Sequence, residues 1–372
     1  MSIAAYDGAA TLHLTPEQLE AFGAELEALR ARVMGELGER DARYLHDLIA
    51  WQRRAELAGR GLLFASPFPP AFVLGVSLLS LSKILETMEI GHNVLHGQYD
   101  WMNEPDLQGA SYEWDLACPA EHWRHMHNYV HHTFTNIVGK DRDVGYGVLR
   151  MADEQPWHPL NLPQPIYALS QIFAFDWAVA LHRLELNLVL TGEKPPRALL
   201  DEGKLIVRKA RQQVLKEYVC FPLLAGPAAP LVFVGNLSAN VVRNVWAFLV
   251  IFCGHFPDGV KMYLPEETEG ETRAGWYLRQ IRSSANIEGP RWFHVLSGHL
   301  GHQIEHHLFP DMPAPRYAEI APEVQALCRK YGVPYNTASF GRQLAGAVRR
   351  IFRGALPPRR SRPTAKGIRL AS

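Results

Sequence analysis

The sequence predicts an all-α integral membrane protein whose apolar helices anchor a cytoplasmic helical domain carrying a polyhistidine di-metal site. Three observations carry this expectation. Two regions, about 61–90 and about 219–256, are nearly free of charge and long enough to cross a bilayer. Charged helical segments flank them, one with an apolar stripe from Leu19 to Val33. Histidines gather in three clusters, GHNVLH, HNYVHH and GHLGHQIEHH, with pairs four residues apart. That spacing puts two imidazoles on one helical face, one turn from each other.

Thr15-Pro16-Glu17-Gln18 reads as a helix start, with Thr15 as N-cap, Pro16 in the first turn and Gln18 closing a capping box. Leu19, Phe22, Leu26, Leu29 and Val33 follow as a helical stripe. The residues before it lack a basic segment followed by an apolar core, so membrane insertion is expected from internal helices. A second helix, about 40–60, carries Arg53, Arg54, Glu56 and Arg60 and should stay out of lipid. Gly61 to Ile90 is either one long crossing or a hairpin bent at Pro67, Pro69 and Pro70, with Lys83 snorkelling or facing protein. Trp157 to Pro165 is proline-rich loop, and Ile166 to Val189, with Asp176, His182, Arg183 and Glu185, reads as an interfacial or core helix. A charged helix from Leu199 to Glu217 leads into Val219–Leu237 and Val241–Phe256, expected as a transmembrane hairpin turning near Asn236 to Asn240. Such a hairpin returns the chain to the side it left and sets His255 beside the other clusters, on the cytoplasmic face. Leu264 to Gly289 reads as loop with a short helix, and Arg316 to Tyr331 as a helix stopped by Gly332 and Pro334. The implied organisation is N-terminal helices over 1–60, a membrane domain with the histidines over 61–335, and a basic tail over 336–372. After Glu323 the chain has no acidic residue but eleven basic ones, which suits an anionic membrane surface.

Overall charge is balanced, 38 basic against 38 acidic residues, so no nucleic-acid footprint is present. The four cysteines form no C-x-x-C pair, which argues against an iron–sulfur cluster or zinc ribbon. The histidines offer His92 and His96, then His127, His131 and His132, then His302, His306 and His307, with His255 as a further donor. Eight or nine imidazoles exceed what one ion takes, so two ions share them. Imidazole suits iron, zinc, copper and nickel alike. A zinc hydrolase needs three protein ligands and an open position. The excess of neutral ligands beside a membrane points instead to a redox pair that activates oxygen.

The boxes H-x3-H, H-x3-H-H and H-x3-H-H resemble, in order and spacing, those of the membrane fatty acid desaturase family. QIEHHLFP (Gln303 to Pro310) resembles the third box of front-end desaturases and their bacterial relatives, and GHNVLHGQYDWMN and HNYVHHTFTN the first two boxes of bacterial acyl desaturases. The resemblance covers about residues 40–335. It implies a non-haem di-iron centre that uses dioxygen and two external electrons to remove two hydrogens from a long-chain fatty acyl substrate, in a multi-pass bacterial inner membrane protein with its active site on the cytoplasmic side. It also implies metal-ligand roles for His92, His96, His127, His131, His132, His306 and His307, with His255 as the additional histidine after a membrane helix. Two departures stand. The third box holds both His302 and Gln303, either of which can be the ligand, with His302 preferred because it stands four before His306. Where the family has Asn four before His255, this chain has Ile251.

Asp141, Asp143, Asp258 and Glu305 read either as carboxylates orienting ligand imidazoles through their other ring nitrogen or as surface charges. His125 belongs with His122, His294 and His299 as histidines near the boxes with supporting or structural roles. Trp101, Trp114, Trp123 and Tyr129 are candidates for an acyl tunnel or for packing, while His13, His46, His158 and His182 read as structural. No His-Pro-Gly-Gly haem motif, Gly-rich dinucleotide fingerprint or cysteine cluster occurs. The electrons are therefore expected from a separate ferredoxin- or flavin-type reductase, with membrane lipid as the surroundings. The rival readings are a hydroxylase with the same histidine site and a non-enzymatic metal-handling membrane protein. The second would want its ligands within the bilayer.

Overall fold

A computed structural model describes residues 14–190 and 192–358; His13 and the basic end from Arg359 to Arg369 lie outside the described residues. Helices make up nearly all of its regular structure. The first, α1 (Pro16–Gly35), starts at the expected capping box: the Gln18 N–H donates to Thr15 Oγ1 at 3.3 Å, and the Thr15 N–H donates to Gln18 Oε1 at 3.0 Å. Its stripe of Phe22, Leu26, Leu29 and Val33 is buried in one cluster with Tyr277, Tyr317 and Val324, so α1 packs on the protein body.

Helices α2 (Glu39–Phe64) and α3 (Pro69–Ile84) form an antiparallel pair. A Cβ on Gly59 would sit 2.8 Å from the Leu79 backbone nitrogen, so glycine is what lets the two backbones approach this closely. Pro69 and Pro70 open α3, where a missing N–H removes no helical hydrogen bond. The first apolar region is thus bent at the prolines: Gly61–Phe64 ends α2, and its candidate crossing is α3, which continues as a π-helical turn (Leu85–Gly91) and a last α-turn (His92–Leu95). Lys83 faces protein: its ammonium lies 3.2 Å from Glu217, which also meets Arg60 at 2.8 Å.

Short α4 (Ala120–Trp123) runs directly into a second π-helical stretch, Arg124–His131. The segment after the proline-rich loop breaks at Ala174 into α5 (Gln164–Phe173) and α6 (Phe175–His182), with Ile166, Leu169 and Phe173 exposed. The charged helix α7 (Pro196–Val214) follows and passes into a third π-helical turn, Leu215–Cys220.

The second apolar region corrects the expected hairpin. Helix α8 (Ala229–His255) runs unbroken through Asn236 and Asn240. These two asparagines bond to the preceding helical segment instead of turning the chain: Asn236 Nδ2 donates to the Glu217 carbonyl at 2.5 Å and Asn240 Nδ2 to the Tyr218 hydroxyl at 2.9 Å. The turn lies at Gly226–Ala228, where Gly226 has φ +55° and Pro227 disfavours helix in the residue before it. Among the described residues, two helices are long and apolar enough to cross a membrane, Pro69–Leu95 with 27 residues and Gly226–His255 with 30. They measure about 40 and about 45 Å, against about 30 Å of bilayer hydrocarbon. Each ends at a histidine box or at His255.

Beyond α8 come α9 (Arg273–Arg282), α10 (Gln303–Leu308), α11 (Tyr317–Tyr331) and α12 (Phe340–Ala355). Helix α11 ends at Gly332, φ +66°, as its sequence indicates. Two three-residue strands, β1 (Asn286–Glu288) and β2 (Thr337–Ser339), pair in parallel. Residues 337–355 are thus not a loose tail: β2 joins the body, and Ala347 and Ile351 of α12 share a core with Phe248 and Phe252 of α8.

Candidate metal centre

Four segments converge: the end of α3, the π-helical stretch after α4, the last residue of α8, and α10. His92 and His96 come from the first, His127, His131 and His132 from the second, His255 from the third, and His306 and His307 from the fourth. Both paired boxes of the first half sit at π-helical turns, a geometry common at functional sites and not readable from residue spacing. One donor atom each from His92, His96, His127 and His306 lies within 4.8 Å of the others, and the same holds for His131, His255 and His307. His132 forms a third such group with His306 and His307, standing between the two constellations. Ligands about 2.1 Å from a shared ion lie at most about 4.2 Å apart, so these groups are near the spacing a metal needs.

Several of the imidazoles are anchored through Nδ1, which leaves Nε2 to face inward. His92 Nδ1 lies 2.9 Å from Asn93 Oδ1, His127 Nδ1 3.1 Å from Asp143, His131 Nδ1 3.0 Å from Asp141, and His307 Nδ1 3.0 Å from Gln280 Oε1. His306 Nδ1 has a longer contact, 3.4 Å, to the Tyr317 hydroxyl. Meanwhile Nε2 of His96, His127, His131, His132 and His306 is buried with no hydrogen-bond partner. Buried polar atoms without partners are rare in a folded protein, and several converging on one point fit a metal ion.

Burial drives the His96, His132, His306 and His307 pKa values well below the ordinary imidazole value, and neighbouring imidazoles add to the effect. Neutral imidazole is the metal-binding form. Burial also opposes the charged form of His131, yet the Asp141 carboxylate outweighs it and holds that pKa above the ordinary value. At Asp143 burial alone would raise the carboxyl pKa, but the His127 hydrogen bond and the adjacent His182 ring win and hold it well below the usual range.

The other candidates lie in varied surroundings. His302 lies outside the constellations. It has φ −107° and ψ 53°, outside the helical region, and α10 begins only at Gln303. The four-residue spacing to His306 therefore does not share a helical face. His302 stacks on His294 with ring centroids 4.3 Å apart, and burial lowers its pKa to about 3. Gln303 takes the inward place instead, its Nε2 2.9 Å from His255 Nε2. Asp258 is exposed and pairs with Arg349, and exposed His125 lies against Tyr129, so neither reaches a ligand. Glu305 is buried but accepts from Asn286 Nδ2 and the Tyr335 hydroxyl, both at 2.8 Å, and burial raises its pKa to about 7. Asp141 and Asp143 lie within hydrogen-bond distance of His131 Nδ1 and His127 Nδ1. His182, read as structural, also reaches the centre: its Nε2 lies 3.2 Å from Asp143. Its placement in an apolar segment was the available signal; Gln280 and Tyr317 gave none.

A cavity opens beside the histidines. Its wall includes His92, His127, His255 and Gln303 together with Trp114 and Trp123. Ile251 also lines it, at the place where the family carries Asn. Trp101 and Tyr129 do not line it; Tyr129 is exposed.

Residues 67–339 match the sequence model of the fatty acid desaturase family. The chain belongs to that family. It is a fatty acid desaturase, an oxidoreductase of lipid metabolism. An NADPH-dependent stearoyl-CoA 9-desaturase of Mycobacterium tuberculosis is 43% identical over 357 residues, 95% of this chain and 84% of the relative. An sn-1 linoleoyl-lipid 6-desaturase of Synechocystis is 28% identical over 289 residues, covering 74% and 77% of the two chains. Human fatty acid desaturase 3 is 32% identical over 234 residues, 62% of this chain and 50% of the relative.

Proposed function

We propose that this desaturase introduces a double bond into a long-chain fatty acyl thioester, consuming dioxygen, two external electrons and two protons and releasing two waters. The observation that carries the reading is the set of buried Nε2 atoms without hydrogen-bond partners, beside a cavity whose wall includes His92, His127 and His255. His92, His96, His127 and His306 would hold one iron, and His131, His255 and His307 the other, with His132 between them and Gln303 beside His255. When bound, an iron pair supplies the oxygen activation that an unactivated methylene requires.

The chain's own residues do the rest. Asp143, Asp141, Gln280 and Asn93 fix ring orientation through Nδ1, which sets where each ligand nitrogen points. The cavity wall positions one methylene pair beside the centre and keeps out water, so the outcome follows from placement. The relative with 43% identity is named for a CoA thioester and for NADPH, which supports that carrier and an external reductase chain of ferredoxin or flavin type. Two helices long enough to cross the bilayer, each ending at the histidines, support a membrane protein with the centre at one membrane face; a multi-pass inner-membrane location with that face cytoplasmic completes the proposal.

The test is iron content and turnover in detergent-purified protein supplied with a ferredoxin-type reductase and stearoyl-CoA. Two irons per chain and an NADPH-dependent monoene, both diminished in His131→Ala, are expected. Iron-free protein, or turnover that His131→Ala leaves intact, overturns the reading.

A further inference from the structure

The cavity runs along α8. Arg243, Asn244, Ala247, Ile251 and His255 all line it, and Arg243 stands twelve residues before His255. On a helix this corresponds to a depth of about 18 Å. The two ends differ in chemistry. Near the histidines the wall is imidazole and aromatic, and along its length it is apolar, through Met88, Leu116, Phe175 and Val179. At the far end it meets charge. Arg243 Nη2 donates to Asp176 Oδ2 at 2.8 Å and to Asn244 Oδ1 at 3.0 Å. The same Asn244 oxygen accepts from the Asp176 N–H at 3.3 Å, while Asn244 Nδ2 donates to the Phe173 carbonyl at 2.8 Å. Asp176 Oδ1 accepts from the Ala117 N–H at 2.9 Å. Arg243 is 2% exposed, deep inside a candidate membrane span.

We propose that the Arg243–Asp176–Asn244 cluster is the end-stop that limits how much acyl chain extends beyond the reacting carbons. The inference rests on the acyl-desaturase reading. Carbon–carbon bonds of about 1.52 Å at about 111° advance about 1.25 Å per methylene, so the depth admits at most about 14 methylenes. Each methylene moved from water into an apolar pocket improves binding about fourfold. Separating a buried ion pair loses a few hundredfold or more. A longer chain therefore cannot push the pair aside, and the floor acts as a hard limit where an apolar wall would give.

The test uses purified, iron-loaded enzyme with its reductase and saturated acyl-CoA substrates of increasing length, reading yield and double-bond position for each. The double variant Arg243→Leu/Asp176→Leu removes both charges together, so no orphaned ion remains buried. It is expected to desaturate substrates at least two carbons longer than the wild type accepts, with the double bond at the same distance from the thioester. Ala247→Phe, which fills the cavity one turn (about 5.4 Å) nearer the centre, is expected to shorten the longest accepted chain by about four carbons. Double-variant protein with wild-type iron content and an unchanged length limit overturns the end-stop, as does an unchanged limit in Ala247→Phe. A wild type that desaturates no chain overturns the underlying reading instead, and the end-stop with it.

Discussion

Asp143 offers the sharpest single perturbation of the candidate centre. Its carboxylate, 10% exposed, lies 3.1 Å from His127 Nδ1 and 3.2 Å from His182 Nε2, so among the proposed ligands it hydrogen-bonds His127, of the first constellation. Asp143→Asn keeps shape and volume but replaces a charged acceptor with a neutral one. A hydrogen bond to a charged group is worth about 1.5–3 kcal/mol and one between neutral groups about 0.5–1.5. The substitution should therefore weaken the anchoring of His127 by about 1–1.5 kcal/mol, or about five- to tenfold in affinity for one iron. The partner constellation keeps Asp141 on His131 and should hold its ion. Purified Asp143→Asn protein dialysed against a weak chelator is then expected to fall from two irons per chain towards one, faster than wild type. Asp141→Asn should do the same at the other ion, and Asp258→Asn, on the surface with Arg349, should change nothing. Loss of both irons together, or retention of both at the wild-type rate, refutes the assignment of Asp143 to one ion.

Other substitutions separate bystanders from participants. His302→Ala should retain iron and turnover, because that ring packs on His294, whereas Gln303→Ala should lower turnover by removing the group beside His255; iron analysis and product yield decide. Gly298→Ala should destabilise the protein by at least about 2 kcal/mol, since Gly298 has φ +67° and a Cβ there would lie 2.2 Å from the Met88 carbonyl oxygen. A thermal melt in detergent that shows no loss would contradict the close approach. Glu217→Leu leaves Arg60 and Lys83 buried without their shared carboxylate and should cost about 3–5 kcal/mol, read in the same melt.

The clustering of the histidines was legible because it follows from residue type and spacing, and those survive in the sequence. So was α1, where Thr15 and Gln18 form a local motif that needs no tertiary partner. What failed depended on long-range partners or on backbone geometry that residue type does not carry. Asn236 and Asn240 look like turn residues until Glu217 and Tyr218 are seen to bond them. Gly226-Pro227 was the truer turn signal, hidden inside a run of apolar residues. The spacing of His302 to His306 implies a shared face only if both lie on one helix, and the helix begins between them. Residues 337–355 read as a basic tail because Arg342, Arg349, Arg350 and Arg353 outweigh Ala347 and Ile351 by eye, yet the apolar face of α12 packs on α8. Asp143 was recognised, but its second partner, His182, sits some forty residues away and could be found only in space.

The most direct test of the central claim is the mass of the acyl product formed when a bacterial host expresses this chain with a compatible reductase. A fatty acid lighter than its saturated parent by two hydrogens, absent from cells expressing His131→Ala, is the expected result. A product heavier by one oxygen would show that the same centre hydroxylates, and would contradict desaturation.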